Sequence, residues 1–86
     1  MAEIVMYTTA TCPYCVAAKN FLKQRGASWT EVRVDLDFER RREMLDRAQR
    51  TSVPQIFIQG QHVGGFDDLV AADRSGRLQE LVGGDA

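Results

Sequence analysis

The chain has 86 residues, 44% hydrophobic and 27% charged, the proportions of an ordinary globular domain. That length suits one hydrophobic core and leaves no room for a second, so residues 1–86 are expected to form a single domain. Eleven basic and 12 acidic residues leave a formal charge of −1, which argues against a nucleic-acid or membrane-surface binder, and no apolar run approaches the ~20 residues of a membrane span.

The first element is "IVMYT", Ile4 to Thr8, a short apolar run of strand formers that predicts a buried strand. Pro13 suits the first position of a helix over "PYCVAAKNFLKQRG", with Val16, Ala17, Phe21 and Leu22 at helical spacing and Gly26 as its stop. "WTEVRVD", Trp29 to Asp35, alternates as a strand does, with Val32 and Val34 turned inward. Asp37 then caps a helix from Phe38 to about Arg50, whose apolar stripe is Phe38, Leu45 and Ala48. "QIFIQ", Gln55 to Gln59, reads as a third strand, Gly60 as a tight turn and "HVG" as the start of a fourth. "FDDLVAADRSG" predicts a helix stopped at Gly76, "RLQELV" a short last helix, and Gly83 to Ala86 a frayed tail. Strand, helix, strand at the front predicts a parallel crossover; the last two strands predict a hairpin.

Both cysteines fall in "TCPYC", residues 11–15. Met1-Ala2-Glu3 lacks the basic-then-apolar layout of a signal peptide, so a cytoplasmic location is expected, where a lasting structural disulfide is disfavoured. A zinc site calls for about four ligands, and the chain offers two cysteines and His62, so no metal is expected. A permanent bridge would close a loop of only a few residues, the least useful kind. Two inert core cysteines would not need a proline between them. A redox dithiol fits better: C-x-x-C after a strand and opening a helix. Thiols react as thiolates, and Cys12 lies where unpaired N–H groups and the positive end of the helix dipole converge. The amides of Tyr14 and Cys15 are placed to point at its sulfur. Cys15, one turn further in, is expected to be covered and to stay a thiol. Cys12 is thus the attacking residue and Cys15 the resolving one.

Three stretches in order, "YTTATCPYC" (Tyr7 to Cys15), "RTSVPQIFI" (Arg50 to Ile58) and "GGFDDL" (Gly64 to Leu69), make the chain resemble a glutaredoxin of the short bacterial, dithiol type, in the thioredoxin-fold family. The resemblance spans nearly the whole chain and implies an α/β thioredoxin-like fold, a four-stranded mixed sheet flanked by helices. It implies a monomeric glutathione-dependent oxidoreductase that reduces protein disulfides and glutathione mixed disulfides, with glutathione as co-substrate. Disulfide-containing or glutathionylated proteins are the implied partners. Some relatives instead carry an iron–sulfur cluster between two subunits, a rival that Pro13 disfavours because cluster binders of the family usually lack that proline.

The other two motifs then acquire roles in holding glutathione. Pro54 cannot donate to a sheet ladder and belongs at a strand start or edge. The resemblance implies a cis bond before it, leaving Val53 free to pair with an extended peptide. Ser52 keeps the hydroxyl that many relatives supply with threonine. Gly64 and Gly65 allow a sharp turn and close approach, and the helix start after them suits a carboxylate at the amides of Phe66 and Asp67. The Asp67 side chain would accept from the glutamyl ammonium. Asp68 would assist it or only complement the helix dipole. Within the charged face "ERRRE", Arg41 falls where relatives place a polar residue near the glycyl carboxylate. Tyr14 would pack on the bound tripeptide. Trp29 and Phe57 read as core residues, and His62 as incidental. Two departures stand out: Thr9 replaces a lysine common three residues before the first cysteine, so that either the helix start suffices, or Lys19 or another base favours the thiolate, or Cys12 is less acidic than in its relatives, and Phe66 replaces a cysteine or small polar residue.

Overall fold

A computed structural model describes residues 3–81. The tail from Gly83 onward lies outside the described residues. Ile4–Thr8 forms β1, Pro13–Gln24 α1, Thr30–Arg33 β2, Phe38–Ala48 α2, Gln55–Ile58 β3, Gln61–Gly64 β4, Phe66–Arg74 α3 and Arg77–Leu81 α4. The sheet order is β2-β1-β3-β4. β1 runs parallel to β2, as a strand–helix–strand unit requires, and antiparallel to β3. β3 and β4 form the expected hairpin, turning through Gln59 and Gly60, whose φ of 78° is one glycine adopts without strain. The four-stranded mixed sheet flanked by helices is the thioredoxin-like arrangement.

Alternation along the two inner strands divides the core. Ile4 and Met6 of β1 and Ile56 and Ile58 of β3 face one layer, with Ala18 and Leu22 of α1 and Leu69 and Ala72 of α3. Tyr7 and Phe57 face the other, against Met44 and Ala48 of α2. All four residues of β3 are buried, including the polar Gln55. A strand covered on both faces must be apolar throughout or must satisfy its polar members internally. Trp29 packs half-buried against the first layer and Phe57 lies in the second, as their sequence context suggested.

Three expectations are corrected. The buried face of α1 is Cys15, Ala18 and Leu22, while Val16 is 52% exposed. A buried cysteine packs as a small hydrophobe, so Cys15 belongs in the apolar stripe, and this rotates the stripe away from Val16. The second strand is shorter than Trp29 to Asp35. Val34 is buried and donates its N–H to Thr8 O at 2.9 Å, but Asp35 folds back onto Arg33, whose Nε and Nη2 meet its carboxylate at 2.8 and 2.7 Å. α2 ends at Ala48, because Gln49 turns left-handed at φ 56°, and its covered stripe is Met44, Ala48 and part of Leu45. Phe38 is 75% exposed. Helical period fixes the side on which a residue lies, but it does not supply a neighbour to cover it. Among the described residues no helix is long and apolar enough to cross a membrane.

Candidate active site

The end of β1 delivers the cysteine pair to the start of α1. Cys12 is the N-cap residue, extended at φ −120° and ψ 103°, and Pro13 follows as the first helical residue. The Cys12 sulfur accepts the N–H of Cys15 at 3.1 Å, so of the two amides expected to aim there it is Cys15 that makes the bond. Both thiols are free. Cys12 is 9% exposed and Cys15 is fully covered. Burial, then the adjoining Cys12 sulfur, push the Cys15 thiol well above the usual cysteine range. The segment before Cys12 is fixed from the side by Asp35, whose carboxylate accepts the Ala10 N–H at 3.2 Å. Arg33 holds that carboxylate well below its usual range.

The opposite wall comes from the α2–β3 connection. The Val53–Pro54 bond is cis. The Val53 carbonyl accepts from Cys12 Sγ at 3.5 Å, which joins the cysteine to this wall. Behind it, the buried amide of Gln55 donates to the Ser52 carbonyl at 3.0 Å and lies within 3.4 Å of its hydroxyl. The other end of that amide meets His62 Nε2 at 2.7 Å. A carbonyl only accepts, so the amide NH2 must face Ser52 and its oxygen must face His62. Hence His62 carries its proton on Nε2 and donates. His62 was read from sequence as incidental; it anchors Gln55, and through it the Ser52 segment.

The third side is the start of α3. Gly64, at φ 122°, turns the chain out of β4, and Gly65 caps the helix. A β-carbon on Gly65 would stand 3.5 Å from the Pro54 carbonyl, an ordinary contact distance, so the two walls lie about one side-chain atom apart there. The Asp68 carboxylate accepts the Gly65 N–H at 2.9 Å and an Arg50 N–H at 3.0 Å. The first of these bonds, then the second, hold it below the usual carboxylate range. Asp67 is exposed and makes no hydrogen bond or ion pair among the described residues. Phe66 lies between two rings, 6.3 Å from Tyr14 and edge-on to Phe21 at 6.1 Å.

Between these walls runs a cleft of about 270 Å³ lined by Tyr14, Ser52, Val53, Pro54, Gly65, Phe66, Asp67 and Asp68. Residues from three separated motifs therefore meet beside Cys12. Arg41 does not line the cleft; it is half-buried on α2. Sequence reasoning passed over Arg50, Gln55 and His62 as members of this wall. The one local signal is position: Arg50 and Gln55 flank "TSVP", but Asp68, which pairs with Arg50, and His62, which pairs with the Gln55 oxygen, lie on other elements. Among the described residues no cluster of three or more His, Cys, Asp or Glu side chains is placed to hold a metal ion.

A glutaredoxin family model matches residues 4–63. This chain belongs to the glutaredoxin family. Glutaredoxin 3 of Escherichia coli is 49% identical over 82 residues, covering 95% of this chain and 99% of that one. The glutaredoxin of Pseudomonas aeruginosa is 46% identical over 82 residues, covering 95% and 98%. Among solved structures, the glutaredoxin of Brucella melitensis is 43% identical with a TM-score of 0.83, covering 95% of this chain and 89% of that one. A buckwheat glutaredoxin–glutathione complex is 26% identical with a TM-score of 0.85, covering 94% and 76%. Family membership carries thiol–disulfide oxidoreductase activity, and the glutaredoxin's two cysteines are placed together for it.

Proposed function

We propose that the protein is a glutathione-dependent reductase of protein disulfides and glutathione mixed disulfides, working through both thiols. Cys12 attacks the glutathione sulfur of a mixed disulfide as its thiolate, and the freed protein thiolate takes up a proton. A glutathione thiolate then attacks the Cys12-bound glutathione, releasing glutathione disulfide and regenerating Cys12. With a protein disulfide, Cys12 bonds to one substrate sulfur and releases the other. Cys15 next attacks Cys12, the bond to substrate breaks, and the Cys12–Cys15 disulfide forms. Two glutathiones reduce it.

The observation that carries this reading is the contact of Cys12 Sγ with the Val53 carbonyl at 3.5 Å, which puts the reacting sulfur against a peptide-sized cleft. Glutathione would lie along it, pairing with the Val53 backbone beside Ser52 and Pro54 and packing on Tyr14. Its glutamyl carboxylate would sit at the Phe66 and Asp67 amides beyond Gly65, where a helix start favours an anion. Its ammonium would meet the Asp67 carboxylate, which has no competing partner among the described residues. Asp68 contributes by holding the turn. Arg41 would act on the glycyl carboxylate from outside the lining, through charge alone. The buckwheat relative, as a glutathione complex of the same fold, supports the choice of ligand.

Cys15→Ser tests the assignment. Deglutathionylation should survive, reduction of protein disulfides should fall at least about tenfold, and Cys12→Ser should abolish both. Equal loss of both activities in Cys15→Ser would overturn the division of roles. Reduction of the Cys12–Cys15 disulfide by thioredoxin reductase, with glutathione inert, would overturn the glutathione dependence.

A further inference from the structure

Cys15 poses a problem that the dithiol reading leaves open. To close the ring it must ionise, yet it is fully covered and burial opposes its charge. A backbone hydrogen bond at Thr9 offsets part of this, and a nearby cation can add to it. Lys19 lies four residues along α1 from Cys15, the spacing that places two side chains on one helix face with β-carbons about 6 Å apart. Its side chain is half-buried rather than free in solvent. The ammonium is held at 3.0 Å from Glu31 Oε2 on β2, and the same oxygen accepts the buried Thr8 hydroxyl at 2.7 Å. Thr8 closes β1, four residues before Cys12, so this cluster is built into the sheet directly behind the cysteine loop.

We propose that Lys19 is a positioning residue for ring closure: held on the Cys15 face by Glu31, its charge stabilises the Cys15 thiolate as that thiolate attacks the Cys12 mixed disulfide. The proposal rests on the dithiol reading and goes beyond it. In the step, Cys15 loses its proton to solvent, its sulfur bonds to Cys12 Sγ, and the Cys12–substrate bond breaks. The departing substrate thiolate carries off the electron pair and is then protonated. Lys19 gives up no proton and forms no bond.

The charges around Cys15 leave this role to Lys19. A reduced Cys12 opposes ionisation of Cys15, an effect that falls away once Cys12 is held in the mixed disulfide, while the Thr9 backbone and the charge of Lys19 favour it. From β2, Glu31 faces Lys19 and Thr8. Beyond β2, Asp35 is taken up by Arg33 and the Ala10 amide. On α3, Asp68 is engaged by Arg50 and Gly65, and Asp67 is exposed. Glu31 sets an opposing effect, because its negative charge partly cancels that of Lys19. The two members of the ion pair should therefore act on closure with opposite signs, whereas a purely structural pair would give equal losses from either side.

The experiment mixes the full chain, reduced, with a chromogenic aromatic disulfide that releases one coloured thiolate on Cys12 attack and a second on ring closure. The second phase is followed by stopped flow against pH. Lys19→Met keeps the apolar stem and should slow that phase about threefold at pH 7, moving its midpoint up by about half a pH unit. Lys19→Arg should restore it. Glu31→Gln keeps an acceptor for Thr8 and should speed it about twofold to threefold, a fraction of the tenfold that a full pH unit represents. In a Cys15→Ser background the Lys19→Met substitution should have no second phase to act on. An unchanged second phase in Lys19→Met, or equal slowing by Lys19→Met and Glu31→Gln, overturns the proposal. A parent protein with no second phase, or one that keeps it in Cys15→Ser, overturns instead the dithiol reading beneath it.

Discussion

The amide of Cys15 and the sulfur of Cys12 lie 3.1 Å apart, so the residue proposed to close the ring also ties down the atom it will attack. The bond makes Cys12 a helix cap as well as a reagent, and the two roles separate by substitution. Serine is a good N-cap and alanine a poor one. Cys12→Ser and Cys12→Ala should both be inactive, but Cys12→Ala should be the less stable by about 1 kcal/mol. Urea denaturation of the two reduced variants measures the difference. Equal midpoints would mean that the sulfur does not cap α1.

Gly64 should tolerate no side chain. Its φ of 122° is strained for any L-residue, and an added methyl would overlap the Asp68 carboxylate that holds the Gly65 amide. Gly64→Ala should cost at least about 2 kcal/mol, combining backbone strain with loss of that bond. Gly60→Ala is the control, because a β-carbon there meets nothing within 4 Å and only the backbone preference is lost. The order of the two thermal midpoints is the readout.

The neighbouring aspartates should divide their work. Asp67→Asn should raise the Michaelis constant for glutathione by about tenfold, the scale of one charge-assisted hydrogen bond, with little change in stability. Asp68→Asn should chiefly lower stability, by about 1 kcal/mol, since its carboxylate secures the helix start. Asp68 titrates below its unfolded value, so its contribution is complete above pH ~4 and is lost as pH falls through the lower folded value. Acid unfolding of the parent below pH 4 should therefore be steeper than that of Asp68→Asn.

What the sequence disclosed follows the range over which its signals act. Helix and strand periods, the N-cap at Asp37 and the hairpin glycine are local, and they place nearly every element. The cleft was also legible, because each of its walls is a short contiguous motif: Tyr14 after Cys12, Ser52 to Pro54, and Gly65 to Asp68. The partners that fix those walls were not. Arg50 finds Asp68 eighteen residues away, and Glu31 collects Thr8 and Lys19 from two other elements. In the second core layer, the buried Tyr7 hydroxyl bonds Glu43, and Arg47 Nη1 donates to it at 2.9 Å while stacking on Phe57. Read alone, "ERRRE" and Arg47 are a solvated helix face. Only the packing of α2 over the sheet turns Glu43 and Arg47 towards a buried tyrosine. Phe38 shows the converse, an apolar residue on the correct side with nothing to cover it.

The burial of His62 against Gln55 should make stability depend on pH near neutrality. Burial, then the charge of Arg50, lower the His62 basicity, so the folded protein holds the ring neutral where the unfolded chain begins to protonate. The unfolded chain thus binds more protons below its own value of about 6.5. His62 contributes its full stability above that pH and loses it as pH falls towards the depressed folded value, with a slope of at most about 1.4 kcal/mol per pH unit. Protonation does not remove the Nε2 donor, so the Gln55 bond survives and the loss is one of charge burial rather than of the hydrogen bond. His62→Gln keeps an N–H donor for the Gln55 oxygen but cannot titrate. Urea midpoints of the parent should fall between pH 7 and pH 5, and those of His62→Gln should fall less. Parallel slopes in the two proteins would show that other groups set the dependence. His62→Leu separates the bond from the charge: it removes the donor and leaves the buried Gln55 oxygen unpaired, so it should cost about 1–3 kcal/mol at pH 7. It should also loosen the Ser52 segment that Gln55 holds, raising the Michaelis constant for glutathione alongside the loss of stability.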